Sequence, residues 1–273
     1  LQSTKHDIFW GYRKNLSDTN SWFDIAIPPS STDKSALDYH QILIELAGAS
    51  NSEPLVEVSQ YEIASRSAYA FKSTPYYHEF VNSYKIPLVR RGVAEKLAKV
   101  NVLLQSYRVQ LLVWDGFRSV ALQQELWDYF VVIARLLMPS ASELEIVDYV
   151  GRYWSDPRDY DPDDYRTWPT HNTGGAVDLT LQSLDSGQDL FMGSVFDDSD
   201  PISSTRYFEN PQLQSLTAKE ARRNRRLLYH AMTAGGFFNY HHEWWHYDYG
   251  TQMAIMNGAG DSAARYGRAT PMP

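Results

Sequence analysis

The chain has 273 residues, 43% of them hydrophobic and 14% aromatic, enough for one large domain or two small ones with an ample core. A formal net charge of −8 and a pI near 5.5 argue against a nucleic-acid partner, and the absence of cysteine excludes disulfides and thiolate metal sites. Any metal must therefore be held by histidines and carboxylates. No apolar run reaches transmembrane length, so no membrane span is expected. The opening LQSTKHD is polar and starts at Leu1 rather than Met, which fits the start of an exported mature chain, periplasmic or secreted, with a cytoplasmic chain as the alternative.

Residues 1–54 read as an N-terminal extension packed on the main body, with the Pro/Ser stretch IPPSSTDKS at 27–35 as its clearest loop. The main body spans residues 55–250. Within it, Val93, Leu97, Val100 and Leu104 fall at helical spacing in residues 91–107. VQLLVWD (109–115) reads as a short buried strand that DGFRS breaks with a turn. Ser119 is placed to cap the next helix, whose apolar face would run through Leu122, Leu126, Tyr129, Ile133 and Leu137. Ser140 and Glu143 form a capping-box pattern for a third helix ending near Trp154. The Pro/Asp-rich residues 155–169 read as a long solvated loop. AVDLTLQSL (176–184) alternates as a strand does, and Thr217 with Glu220 marks the start of a helix that stops at Gly235-Gly236. The run RRNRR (222–226) on that helix reads as a solvated face. The aromatic-rich FFNYHHEWWHYDY favours strand, and residues 251–273 look like a tail. The class is α+β, a mainly antiparallel sheet with helices packed around it.

His242-Glu243-Trp244-Trp245-His246 matches the H-E-x-x-H pattern, which works only on a helix, where both histidines face one ion. Here the stretch follows a double-glycine stop and is dense in aromatics, so strand is expected instead. Glu243 and His246 alone leave a different possibility. Upstream, His171 and Asp178 flank two glycines in HNTGGAVD, so a turn followed by a strand can bring both to one ion. Together His171, Asp178 and His246 give two histidines and one carboxylate, an open zinc site in a central cleft with one Zn2+ per chain. Glu243 would then be the base for the bound water, and Arg118 in WDGFRS the cation facing the oxyanion. The alternative for Arg118 is a structural pair with Asp115.

The ordered motifs DGFR, HNTGGAVD and EWWH resemble the zinc D-alanyl-D-alanine dipeptidases, within a wider group of zinc D-Ala-D-Ala carboxypeptidases and hedgehog-like domains. DLTL, MGSVFD and RRLLYHAMTAGGFFNYHHEWWHY extend the likeness across residues 55 to 250. The resemblance implies zinc on His171, Asp178 and His246, catalysis by Glu243 with Arg118, and Asp197 holding the ammonium of a small dipeptide, with Asp198 able to do the same work. It implies hydrolysis of D-Ala-D-Ala or a related dipeptide in cell-wall turnover or D-amino-acid salvage. The alternatives are a carboxypeptidase or endopeptidase on peptidoglycan stems, and a zinc-stabilised binding domain. Two positions depart from the family pattern: Pro169 stands where a small hydroxyl residue is usual, and Ser119 where proline is frequent. Oligomeric state is not legible in the sequence.

Overall fold

The structure is a computed structural model that describes residues 21–29, 36–151 and 153–271. Strands β1 (Leu55–Glu57), β2 (Ala64–Ser65) and β3 (Leu88–Arg90) precede helix α1 (Arg91–Leu104). Strand β4 (Val109–Asp115) leads into helices α2 (Val120–Leu137) and α3 (Glu143–Gly151), and a long connection then reaches β5 (Ala176–Ser183). Helix α4 (Leu216–Ala234) is followed by β6 (Phe238–Asn239), β7 (His246–Asp248) and the short α5 (Gln252–Met256). Five strands form one sheet in the order β2-β4-β5-β7-β6. Strand β2 runs parallel to β4, and the other three pairings are antiparallel. The architecture is α+β with a mainly antiparallel sheet, as the sequence indicates.

Strand β5 sits at the centre of this sheet and organises both of its faces. Val177, Leu179 and Leu181 point into the main core, with Leu97 and Val100 of α1 and Leu227, Leu228 and Ala231 of α4. Asp178 and Thr180 point the other way and are also buried. The alternation in this strand is thus apolar against polar, and both faces are covered. Full burial of each of these aliphatic side chains contributes roughly 1.5–3 kcal/mol.

Helix α1 buries the four expected residues, and Ser119 caps α2 by accepting from the Leu122 amide at 3.1 Å. The apolar stripe of α2 holds at Leu122 and Leu126 but not at Leu137, which is 66% exposed. Its first half carries most of the burial, and Gln123, Trp127 and Ala134 complete the inner face. The caps of α3 and α4 differ from those expected by two residues. Ser142 and Glu145 form the reciprocal box before α3, and Ser215 accepts from the Ala218 amide before α4. In both places the local sequence offers two hydroxyls two residues apart, and the structure uses the one that the pattern did not single out.

Three expectations need larger correction. RRNRR is not a solvated face: Arg225 is 2% exposed and donates to the carbonyls of Met192, Ile202 and Ser204. Arg226 forms an ion pair with Glu209. FFNYHHEWWHYDY is not one strand, because residues 241–245 turn between β6 and β7. Residues 251–271 are not a loose tail. Thr251, Met253, Ala254, Ala264 and Tyr266 are buried, Ala264 bridges to Ile44, and Arg90 donates to the carbonyls of Gly267 and Arg268. The small residues there serve close approach: a side chain at Gly267 would meet Leu46 at 2.9 Å. Residues 30–35 of the expected loop lie outside the described residues. Among the described residues, no helix is long and apolar enough to cross a membrane.

Candidate active site

Sheet register builds the site. Asp178 of β5 pairs directly with His246 of β7 on one side and with Asp115 of β4 on the other. Directly paired residues project to the same face, so three ionisable side chains stand in a row across the sheet. The register of β4 shifts between Val113 and Asp115, which brings Asp115 into that row. His171 arrives from a tight turn, Thr170–Thr173, that ends at Gly174 with φ +71°. A side chain at Gly174 would be strained by that conformation and would also meet Leu55 at 2.5 Å, so glycine is required where the chain doubles back into β5.

His171 Nε2 and His246 Nδ1 lie 3.2 Å apart. Asp178 Oδ1 is 3.1 Å from His246 Nδ1, and Oδ2 is 3.4 Å from His171 Nε2. Ligand atoms roughly 2.0–2.1 Å from a tetrahedral ion sit about 3.3 Å from one another, so these spacings fit such an ion. The outer ring nitrogens are fixed by their own partners. His171 Nδ1 donates to the Gly116 carbonyl at 2.7 Å, and His246 Nε2 donates to Asp248 Oδ2 at 2.9 Å. The inner nitrogens are therefore the ones that would face a bound cation, beside the Asp178 carboxylate. Two imidazoles with one carboxylate and an open position suit Zn2+. Burial pushes Asp178 up, but the flanking imidazoles outweigh it and hold its carboxyl well below the usual range.

Asp248 is fully buried, and its second oxygen accepts from the hydroxyls of Thr170 at 2.8 Å and Thr251 at 2.7 Å. It thereby joins the turn that carries His171 to the strand that carries His246. Pro169 is buried and starts that turn, leaving Thr170 as the hydroxyl that faces Asp248.

Glu243 stands on the turn before β7, not on a helix. The His246 amide donates to its carbonyl at 3.3 Å, and its Oε2 lies 3.8 Å from His246 Nδ1. Desolvation pushes the Glu243 carboxyl up to about 7, against the pull of His246. His242 is outside the cluster and contacts the rings of Tyr240 and His241, so the H-E-x-x-H geometry does not form.

Arg118 is 7% exposed and forms the pair with Asp115 weighed for it from sequence. Its Nε and Nη2 clamp Asp115 Oδ2 at 3.0 and 2.8 Å, while Nη2 also reaches Asp178 at 3.5 Å. Among the described residues its Nη1 meets one acceptor, Gln123 at 3.3 Å, which leaves a hydrogen free. Asp197 lines a small cavity of about 10 Å3 with Glu243, Asp198, Tyr153, Trp154 and Trp245. Its backbone has φ +57°, and its Oδ2 accepts from the hydroxyls of both Tyr69 and Tyr76. Burial first, then the charge of Asp178, push its carboxyl well above the usual range.

Asp115, Tyr69, Tyr76 and Asp248 are missing from the sequence-based site. Asp248 had a signal, since it lies two residues past His246 in a strand-like stretch and so shares its face. The tyrosines had none, because they are more than 100 residues from Asp197 and are brought to it by tertiary packing alone.

The D-alanyl-D-alanine dipeptidase of Synechocystis sp. is 30% identical over 180 residues, covering 61% of this chain and 70% of that protein. The dipeptidase of the same name from Enterococcus faecalis is 28% identical over 171 residues, covering 61% and 76%. That from Streptomyces coelicolor is 32% identical over 137 residues, covering 50% and 60%. The Peptidase_M15 family, described as D-ala-D-ala dipeptidase, matches residues 54–261 and so spans every side chain of the cleft; the chain belongs to that family.

Proposed function

We propose that the protein is a zinc-dependent dipeptidase that hydrolyses D-Ala-D-Ala or a closely related D-amino-acid dipeptide. The observation that carries the reading is the placement of Asp197 and Glu243 on one small cavity beside the His171, Asp178 and His246 triad. Names of the relatives point to the same substrate.

In this reading His171, Asp178 and His246 hold the zinc. When bound, zinc lowers the pKa of water and polarises a carbonyl. Glu243 takes the proton from the attacking water and delivers it to the departing amine; a carboxyl poised near neutrality suits both transfers. Arg118 turns its free Nη1 hydrogen to the oxygen that gains charge, while Asp115 keeps the guanidinium in place. Asp197, deprived of a cation by its surroundings, accepts from the substrate's ammonium. Asp197 suits a free dipeptide, since an acylated amine would bring no charge to a buried carboxylate. We also assign the catalytic unit to residues 55–250 together with the segment after Gly250, because Thr251 supports Asp248.

The test is release of free D-Ala from D-Ala-D-Ala by the zinc-loaded protein and by Glu243→Gln. The expected result is turnover by the parent and a loss of at least roughly a hundredfold in kcat, with zinc still bound, in the variant. Equal rates in both proteins would remove Glu243 from the mechanism, and zinc binding without turnover would remove this substrate.

A further inference from the structure

A second cavity lies apart from the metal cleft. It has a volume of about 310 Å3 and lies on the same face of the sheet, past an aromatic wall of Trp114, Phe196 and Trp244. Different residues line the two spaces: Phe196 and Trp244 here, their neighbours Asp197, Glu243 and Trp245 there. The volume falls at the lower end of the range for small-molecule pockets, about 300–1,000 Å3.

Its chemistry is graded from mouth to floor. At the mouth, Arg66 and Asp189 form an ion pair with side chains 51% and 30% exposed. The middle is apolar, walled by the aromatic residues and Met192. At the floor stands Thr180, which is 1% exposed and whose Oγ1 has no hydrogen-bond partner among the described residues. A buried hydroxyl without a partner carries a desolvation cost, so a ligand that meets it gains that back. Arg66 follows β2 and Thr180 belongs to β5, two strands away across the sheet, about 10 Å. A half-exposed ion pair holds its partners together only weakly, because solvent screens it. It can open to receive a carboxylate on Arg66 and an ammonium on Asp189 at little cost.

We propose that this cavity is a second ligand site that binds a free α-amino acid with a bulky apolar side chain. The amino acid's zwitterion replaces the Arg66–Asp189 pair at the mouth, its side chain lies against the Trp114, Phe196 and Trp244 wall, and a phenolic hydroxyl at its tip reaches Thr180. The site is separate from the metal cleft, and its test reads binding and not turnover.

The test is calorimetric titration of the zinc-loaded protein with each enantiomer of phenylalanine and tyrosine. Saturable binding of at least one enantiomer is expected, tighter for tyrosine by roughly tenfold, the worth of one buried hydrogen bond. Arg66→Ala is expected to weaken it by roughly tenfold or more. Val195→Trp, at a rim position 62% exposed where folding is undisturbed, is expected to block it. Thr180→Val is expected to erase the preference for tyrosine. Absence of binding by all four ligands overturns the proposal. So does binding that survives both Arg66→Ala and Val195→Trp, or binding that disappears when the metal is chelated, which would place the ligand in the metal cleft. Equal affinity for 3-phenylpropionate, which lacks the ammonium, would overturn the zwitterion.

Discussion

At the scale of single residues, the site depends on carboxylates that do different work because their surroundings differ. Asp178 is held ionised between two imidazoles. Asp248 touches no substrate space, but it fixes which nitrogen of His246 is left bare. Replacement Asp248→Asn keeps the shape and removes the charge that keeps the proton on Nε2. We expect a fall in zinc affinity of roughly 10–100-fold, read by competition with a chelator. Unchanged affinity would mean that His246 is oriented by the sheet alone. Asp197 faces the opposite demand, because it is buried with two tyrosine hydroxyls and no adjacent cation of its own beyond the more distant Arg118. Asp197→Asn should lower kcat/KM for free D-Ala-D-Ala by roughly 10–150-fold, the loss of one charge-assisted hydrogen bond. The ratio of free to N-acetylated dipeptide hydrolysis should collapse with it. A variant that keeps the parent's preference for the free amine would sink the assigned role.

At the scale of elements, the loops that carry the cleft are tied down by helix α4. Arg225 gathers the carbonyls of residues 192, 202 and 204, on the segment that includes Asp197. Arg226 pairs with Glu209, and Glu209 also accepts from the Ile27 amide at 3.1 Å, so one carboxylate joins α4 to the segment 21–29. Burial alone would raise the pKa of Glu209, but its bonds to Arg226 and Ile27 hold it below its ordinary value of 4.5. A carboxyl depressed in the folded state stabilises the fold above its unfolded pKa, and that contribution is lost as the pH falls through the lower folded value. Acid unfolding followed by circular dichroism should therefore show Glu209→Gln less stable than the parent at pH 7 by about 1 kcal/mol, with the two curves converging below pH 4. A constant difference at all pH values would mean the clamp is packing and not charge.

The same elements mark what could be read from the sequence. Strand β4 and the turn after it were legible because apolar run, turn signal and cap agree there. The metal triad was legible because two glycines and a strand pattern fix how His171 and Asp178 meet. Arg225 was misread, since a cation within a charged run looks solvated until the loop that folds over it is known. HHEWW was misread because aromatic content favours strands, whereas here Trp244 and Trp245 are buried from a turn, Trp245 at the wall of the metal cleft and Trp244 at the wall of the second cavity. The segment after Gly250 was misread because glycine and alanine mark close packing as readily as they mark flexibility.

At the scale of the whole molecule, the metal site joins parts of the chain that share no other reason to meet. His171 lies on a turn anchored to β4 through Gly116, Asp178 on the central strand, and His246 on the strand after α4. Behind them Asp248 and Thr251 bring in the C-terminal segment, which in turn contacts residues near Ile44. The inner nitrogens of both histidines and the carboxylate of Asp178 converge on one buried point; burial pushes His246 down, but Asp248 and Asp178 outweigh it and raise it well above its ordinary range, so a cation bound there must displace a proton. A ligand that binds only the folded state stabilises it by about 4 kcal/mol at a thousand times its dissociation constant. For a domain of this size that corresponds to roughly 8–16 °C in Tm. We therefore expect chelated protein to melt lower by that amount, zinc to restore it, and His246→Ala to melt low with or without zinc. The parent and the variant responding equally to zinc would place the stabilising ion elsewhere. A chelated parent that melts with its holo form would mean that the surrounding hydrogen bonds, chiefly Gly116 to His171 and Asp248 to His246, hold the site assembled without the ion.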